Sequence, residues 1–271
     1  MSADLDAQVN AGTLKACCAA GYSTDLVSLL LGDSYHPGGL ALTRQLFDRV
    51  GLASGQRLVD VASGRGTTAL LAAREYGARV DGVDLSAANV ALATGSAAST
   101  GLTDRADFHV GDAENLPLPD GCADVVLCEC ALCTFPDKPT AMAEMARLLL
   151  PGGRIGITDV AADRERLPDE LTGLTAWIAC VADARPLSEY ADLAASAGLR
   201  VLTTEPHTDA LSRMIDQIEA RLELLRMTAR HRLEALGVDF TKAGPVLGAA
   251  RDAVRDGALD YVLLVAEKPC D

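Results

Sequence analysis

From about residue 56 onward, apolar and polar positions follow two alternating periods. Short apolar runs, too short for helices, stand between longer stretches whose apolar residues recur three and four apart. Arg57 to Val61 reads as a buried strand, and Thr67 to Tyr76 as an Ala/Leu-rich helix. Arg79 to Asp84 is a second strand, followed by a helix from about Ala87 to Ala98. Ala106 to Val110 and Ala123 to Leu127 are the third and fourth strands. A helix from about Thr140 to Leu149 stops at Pro151-Gly152-Gly153, and Arg154 to Asp159 is a fifth strand. Strands alternating with helices of this length predict an α/β fold with a doubly wound, mostly parallel sheet.

The two ends differ from this middle. Leu14 to Leu31 carries apolar residues at helical spacing, with turn signals at Gly32-Asp33 and from His36 to Gly39, so residues 1–55 are expected to form a helical lead-in or lid. Leu199 to Thr204 and Asp260 to Val265 read as strands six and seven. Between them, residues 209–256 are helical in pattern, with Leu211, Met214, Ile215, Ile218, Leu222 and Leu225 on one stripe. Such a stripe reads as packing. The expected organisation is a core of 56–208 and 257–271, the lead-in before it, and a helical insert, 209–256, before the last strand.

Charge and cysteine usage narrow the function. The 271 residues carry a net charge of -14, which argues against nucleic-acid or anionic-membrane partners, since both attract a basic face. The acidic start lacks the basic and apolar segments of a signal peptide, and no apolar run reaches the roughly eighteen residues of a membrane span. A cytoplasmic location is expected. There, eight cysteines read as thiols, metal ligands or catalytic groups and not as a disulfide framework.

The first strand leads into Asp60, Ala62, Ser63, Gly64 and Gly66 before the first helix opens. Glycines at such a bend let the backbone approach a ligand closely. The loop lacks the Gly-Lys-Ser/Thr ending of a P-loop, and its spacing is not the Gly-x-Gly-x-x-Gly of the rival, a dinucleotide-binding domain. Asp84 ends the second strand, where an acid accepts hydrogen bonds from ribose hydroxyls. Gly111-Asp112-Ala113 follows the third strand, where a carboxylate can take an adenine amino proton. With Arg147 to Gly153, these motifs resemble the class I S-adenosylmethionine-dependent methyltransferases over residues 55–160. The resemblance implies a seven-stranded Rossmann-like sheet binding S-adenosyl-L-methionine and releasing S-adenosyl-L-homocysteine. It places Gly64 and Gly66, with Asp60 and Ala62, beside the methionine portion, Asp84 and Leu85 at the ribose, and Asp112 and Ala113 at the adenine. Ala62 stands where many members carry glycine.

The fourth strand ends in Cys128-Glu129-Cys130-Ala131-Leu132-Cys133, followed by Pro136-Asp137-Lys138. Ligands bind at the carboxyl ends of strands in open α/β sheets, and thiolates favour soft metalloids over oxygen or nitrogen ligands. Arsenic held by two or three sulfurs keeps a lone pair, so it attacks a methyl group without a catalytic base. Cys130 to Lys138, Gly152-Gly153 with Thr158-Asp159-Val160, and Leu174 to Cys180 around Trp177 resemble the arsenite methyltransferases. That resemblance implies Cys130 and Cys180 as the arsenic-binding residues. The third sulfur stays open among Cys17, Cys18, Cys133 and a small thiol such as glutathione, because Ser63 stands where a cysteine near the glycine loop is expected. The same resemblance sets Glu129, and the backbone of Cys128, against the cofactor's methionine end.

Other readings of these residues exist. Cys128 reads equally as packing, as do Cys122 and Cys270; a zinc site from Cys128, Cys130 and Cys133 lacks a second ligand pair. His36 is a candidate base but reads first as a turn residue, His109 as structural, and His207 and His231 carry no signal. Two alternatives stand beside arsenite methylation: a methyltransferase for a small organic metabolite (O-, N-, S- or C-methylation), and a metalloid sensor without turnover.

Overall fold

In the computed structural model, residues 36–171, 181, 183–235 and 240–270 are described. Helix α1 (Gly39–Val50) leads into β1 (Arg57–Val61), and α2 (Thr67–Leu71) continues as a π turn over Ala72–Tyr76. Then follow β2 (Arg79–Asp84), α3 (Ala87–Thr100), β3 (Ala106–Val110) and β4 (Ala123–Glu129). After them come α4 (Lys138–Leu148), β5 (Leu149–Ala162), α5 (Leu187–Ser196) and β6 (Arg200–Pro206). The chain closes with α6 (Thr208–Ala235), α7 (Phe240–Arg255) and β7 (Leu259–Glu267).

The seven strands form one sheet in the order β3-β2-β1-β4-β5-β7-β6, with β7 antiparallel to both neighbours. The chain winds outward one way from β1 through β2 to β3, and the other way from β4 through β5. The crevice where the order reverses therefore lies at the carboxyl ends of β1 and β4, which pair from Leu58↔Val125 to Val61↔Cys128. Ligands bind at such switch points.

Strand alternation sorts the core onto two faces. Leu58, Val125, Leu127, Tyr261 and Leu263 join one cluster with α1, α2, α6 and α7. Val59, Val126, Cys128, Ile155 and Leu264 join the other with α4 and α5. Full burial of large α4 side chains such as Met142 and Leu148 contributes about 1.5–3 kcal/mol each. Helix starts are set locally: Ser86 caps α3 by accepting the Asn89 N–H, and Asp137 caps α4 by accepting that of Thr140.

The strand and helix pattern holds, with longer strands than local signals give. β4 runs on through Cys128 and Glu129, and β5 begins at Leu149, carrying Pro151-Gly152-Gly153 within it. That segment is tolerated because Gly153 lies against the Asp124 and Ala123 carbonyls, where a Cβ would stand 3.0 and 3.2 Å away. Helix α5 had no separate sequence signal. No helix among the described residues is long and apolar enough to cross a membrane.

Candidate functional site

The loop after β1 is held in left-handed backbone by Ala62 (φ 59), Gly64 (φ 54) and Gly66 (φ 80). Its curvature is fixed by hydrogen bonds: Ser63 N–H donates to the Val83 carbonyl at 3.0 Å, and Gly66 N–H to Ser63 at 2.9 Å. Gly66 is needed for packing, since a Cβ there would stand 2.7 Å from Phe108 and 2.9 Å from Ala93. Gly64 is different. A Cβ on it would meet nothing within 4 Å, so its bare backbone faces open space.

Asp84 ends β2 and joins the loop to it. One carboxylate oxygen accepts the Gly64 N–H at 2.8 Å; the other accepts Ser86 N–H at 2.8 Å and the Asn89 amide at 3.2 Å. Leu85 beside it is left 40% exposed, and Val110 at the end of β3 is 54% exposed. Asp112 and Ala113 follow Val110, with Asp112 accepting the Glu114 N–H at 3.0 Å.

Deeper in the crevice, Asp60 is 3% exposed. Its carboxyl is pushed well above the usual carboxylate range, first by burial and then by the charges of Glu129 and Asp84. Among the described residues, Asp60 Oδ2, Ser63 Oγ and Asn89 Oδ1 are buried without a hydrogen-bond partner. These orphaned atoms surround the same loop.

Glu129 ends β4 as the meeting point of three hydroxyls. Thr68 donates to it at 2.7 Å, Thr43 at 3.2 Å and Thr158 at 3.4 Å. His36 Nε2 lies 3.9 Å from the carboxylate and 3.3 Å from Thr43 Oγ1. His36 Nδ1 is 3.2 Å from the Pro37 carbonyl. His36 thus has a carboxylate neighbour, contrary to the reading of it as a turn residue alone. That neighbour comes from the far end of β4, beyond the reach of local pattern. Thr43 and Thr68 had no sequence signal at all. His109 instead pairs with Asp81 at 2.9 Å.

The cysteines separate by environment. Cys128 is fully buried on the α4/α5 face, and burial, followed by the charges of Asp159 and Asp60, pushes its thiol well up. Cys133 is 1% exposed, with its N–H donating to Asp159 at 3.0 Å. Cys130 is half-buried, sits in left-handed backbone (φ 52), and donates its N–H to the Thr158 carbonyl at 2.6 Å. Cys122 is half-buried and Cys270 exposed. Cys17, Cys18 and Cys180 lie outside the described residues. Among the described residues, no group of three or more His, Cys, Asp and Glu is arranged to hold a metal ion.

The crevice fits S-adenosylmethionine in chemistry. The open backbone at Gly64 admits a close ligand, and Leu85 and Val110 offer apolar surface for a base. Glu129 and Asp60 place carboxyl groups where a cation is accommodated, and that cation would favour the ionised form of Asp60.

A family model described as a methyltransferase domain matches residues 59–157. Methyltransferase GfsG of Streptomyces halstedii is 34% identical over 185 residues, covering 67% of this chain and 65% of its own length. The 27-O-demethylrifamycin SV methyltransferase of Amycolatopsis mediterranei is 30% identical over 90% of this chain and 93% of its own. An arsenite methyltransferase of Halobacterium salinarum is 29% identical over 59% of this chain and 41% of its own. Among solved structures, the [4+2]-cyclase SpnF superposes with a TM-score of 0.64 at 26% identity, covering 85% of this chain and 81% of its own. Phosphoethanolamine N-methyltransferase 2 of Haemonchus contortus, in complex with S-adenosyl-L-methionine, superposes at 0.73 and 21% identity, covering 90% of this chain and 56% of its own.

Proposed function

The chain belongs to the class I S-adenosylmethionine-dependent methyltransferases, and on that premise we propose that its acceptor is trivalent arsenic, presented as a thiol conjugate and gripped by Cys130. S-adenosyl-L-methionine is the cofactor, and the substrate is a small molecule. Membership in an enzyme family sets aside the sensor reading. When bound, the cofactor supplies a methyl group on a sulfonium, open to displacement by a lone pair.

The single observation that carries the arsenic reading is the backbone of Cys130. Among the described residues, only Ala62 and Cys130 adopt positive φ without being glycine. They follow the neighbouring strands β1 and β4 and flank the same crevice. Strained backbone persists at functional sites because surrounding structure over-determines it. Here the strain falls on the residue that directly follows Glu129, and its side chain carries sulfur. Sulfur is the ligand a soft metalloid prefers, and Cys180 or a solution thiol completes the set. The chain's own residues then bind and orient: the loop from Ala62 to Gly66 admits the cofactor, Asp84, Leu85, Asp112 and Ala113 hold its nucleoside, and Asp60 and Glu129 face its ammonium.

A second reading is favoured by the His36–Thr43–Glu129 contact. An imidazole beside a carboxylate at the crevice offers the residue types of a general base for an organic hydroxyl. A relative over nearly the whole chain is named for an O-demethylated organic substrate. One experiment separates the two: labelled S-adenosylmethionine is supplied with arsenite and glutathione, or with a panel of organic hydroxyl acceptors. Under the arsenic reading label enters methylated arsenic, Cys130→Ser stops it, and His36→Ala does not. Wild-type rates in the Cys130→Ser/Cys180→Ser double variant overturn it.

A further inference from the structure

Thr158 of β5 is completely buried and makes three contacts that converge on the end of β4. Its carbonyl accepts the Cys130 N–H at 2.6 Å. Its hydroxyl donates to Glu129 Oε1 at 3.4 Å and accepts from the Tyr261 phenol at 3.0 Å. Tyr261 arrives from β7, the last strand, and is also completely buried. Burial, followed by the charges of Cys130, Glu129 and Asp159, pushes its phenol pKa up, and its one hydrogen goes to Thr158. A hydroxyl whose acceptor site is filled by a neighbour's donor has its own hydrogen directed elsewhere. Here the remaining acceptor is Glu129.

We propose that Thr158 and Tyr261 are positioning residues of the methyl-transfer site. Tyr261 sets the orientation of the Thr158 hydroxyl, and Thr158 fixes Glu129 through its side chain and Cys130 through its carbonyl. One residue thereby touches both the carboxylate proposed to face the cofactor and the backbone of the cysteine proposed to hold the acceptor. The link to the acceptor rests on the reading of Cys130 given above; the link to Glu129 does not.

The test compares Thr158→Val, Thr158→Ser and Tyr261→Phe in the full chain. Methyl transfer to arsenite with glutathione is measured beside calorimetric binding of S-adenosylmethionine and thermal melting. Valine keeps the shape of threonine and loses the hydroxyl; serine keeps the hydroxyl and loses a methyl. The expected result is that Thr158→Val and Tyr261→Phe each lower cofactor affinity and turnover about tenfold, the scale of one lost buried hydrogen bond to a charged group. Thr158→Ser restores both to near wild-type values, even where it melts lower. The reverse order, Thr158→Val active and Thr158→Ser impaired, reveals a packing role and overturns the proposal. If the wild-type protein leaves arsenite unmethylated, the acceptor reading falls alone, and the order of the three variants in cofactor affinity still decides this one.

Discussion

Gly64 donates its backbone N–H to the Asp84 carboxylate at 2.8 Å, so the acid that ends β2 also shapes the loop that follows β1. Two elements of the proposed nucleoside site are thereby one unit. Asp84 is 8% exposed, and both of its oxygens are occupied within the protein.

Replacing Asp84 by Asn turns one acceptor into a donor while preserving shape. Either Gly64 or the Ser86 turn loses its partner, and a buried N–H left unpaired costs about 1–3 kcal/mol. Cofactor affinity is expected to fall about tenfold or more, with a lower melting temperature in the free protein. Calorimetry and thermal unfolding of Asp84→Asn check both; unchanged affinity counts against the shared role.

Asp60 gives the site a pH dependence whose sign follows from its raised pKa. In the unfolded chain it ionises near the ordinary carboxylate value, about 3.9; in the folded chain it stays protonated to higher pH. Folding therefore takes up a proton in that window, and the stability contributed by this group falls as pH rises through it. Cationic cofactor favours the ionised form, so binding releases a proton and tightens with rising pH. Calorimetry in buffers of different ionisation heat measures that release. Asp60→Asn abolishes it, weakens binding, and stabilises the free protein at neutral pH.

The fold was legible because periodicity and strand ends carry it: Arg57 to Val61, Arg79 to Asp84 and Ala123 to Leu127 all stand where their apolar runs put them. The proposed cofactor residues Gly64, Asp84 and Asp112 could be picked out because each sits within a few residues of its strand's carboxyl end. The partners of Glu129 were not. Thr43, Thr68 and Thr158 are single hydroxyls on three separate elements, and only the order of strands in the sheet brings them together. Tyr261 looks like any aromatic residue of a buried strand until β7 inserts beside β5.

Ala62 tests backbone strain in isolation. Its φ of 59 costs an L-residue about 1–2 kcal/mol, while glycine at the same position loses about 0.5–1 kcal/mol more entropy on folding. Ala62→Gly is expected to raise stability by up to about 1 kcal/mol, with cofactor binding retained. The denaturant midpoint should rise at constant slope; a fall would show that the Ala62 methyl packs usefully.

Cys130 is the place where strain and chemistry separate. Its φ of 52 carries the same cost as that of Ala62, and its half-buried side chain packs only at the margin of the core. Cys130→Gly relieves the backbone and removes the sulfur in one step. If the cysteine serves packing alone, the variant loses a partly buried side chain and keeps its activity. Under either reading stability changes by less than about 1 kcal/mol, because relief offsets lost burial; if the cysteine holds the acceptor, arsenic methylation disappears. Cys130→Ala removes the same sulfur without the relief and should be the less stable of the two. Melting curves and product assays on Cys130→Gly, Cys130→Ala and wild type distinguish these outcomes. A functional cysteine gives two folded, inactive variants ordered Gly above Ala in stability; full activity in either excludes the sulfur from the reaction.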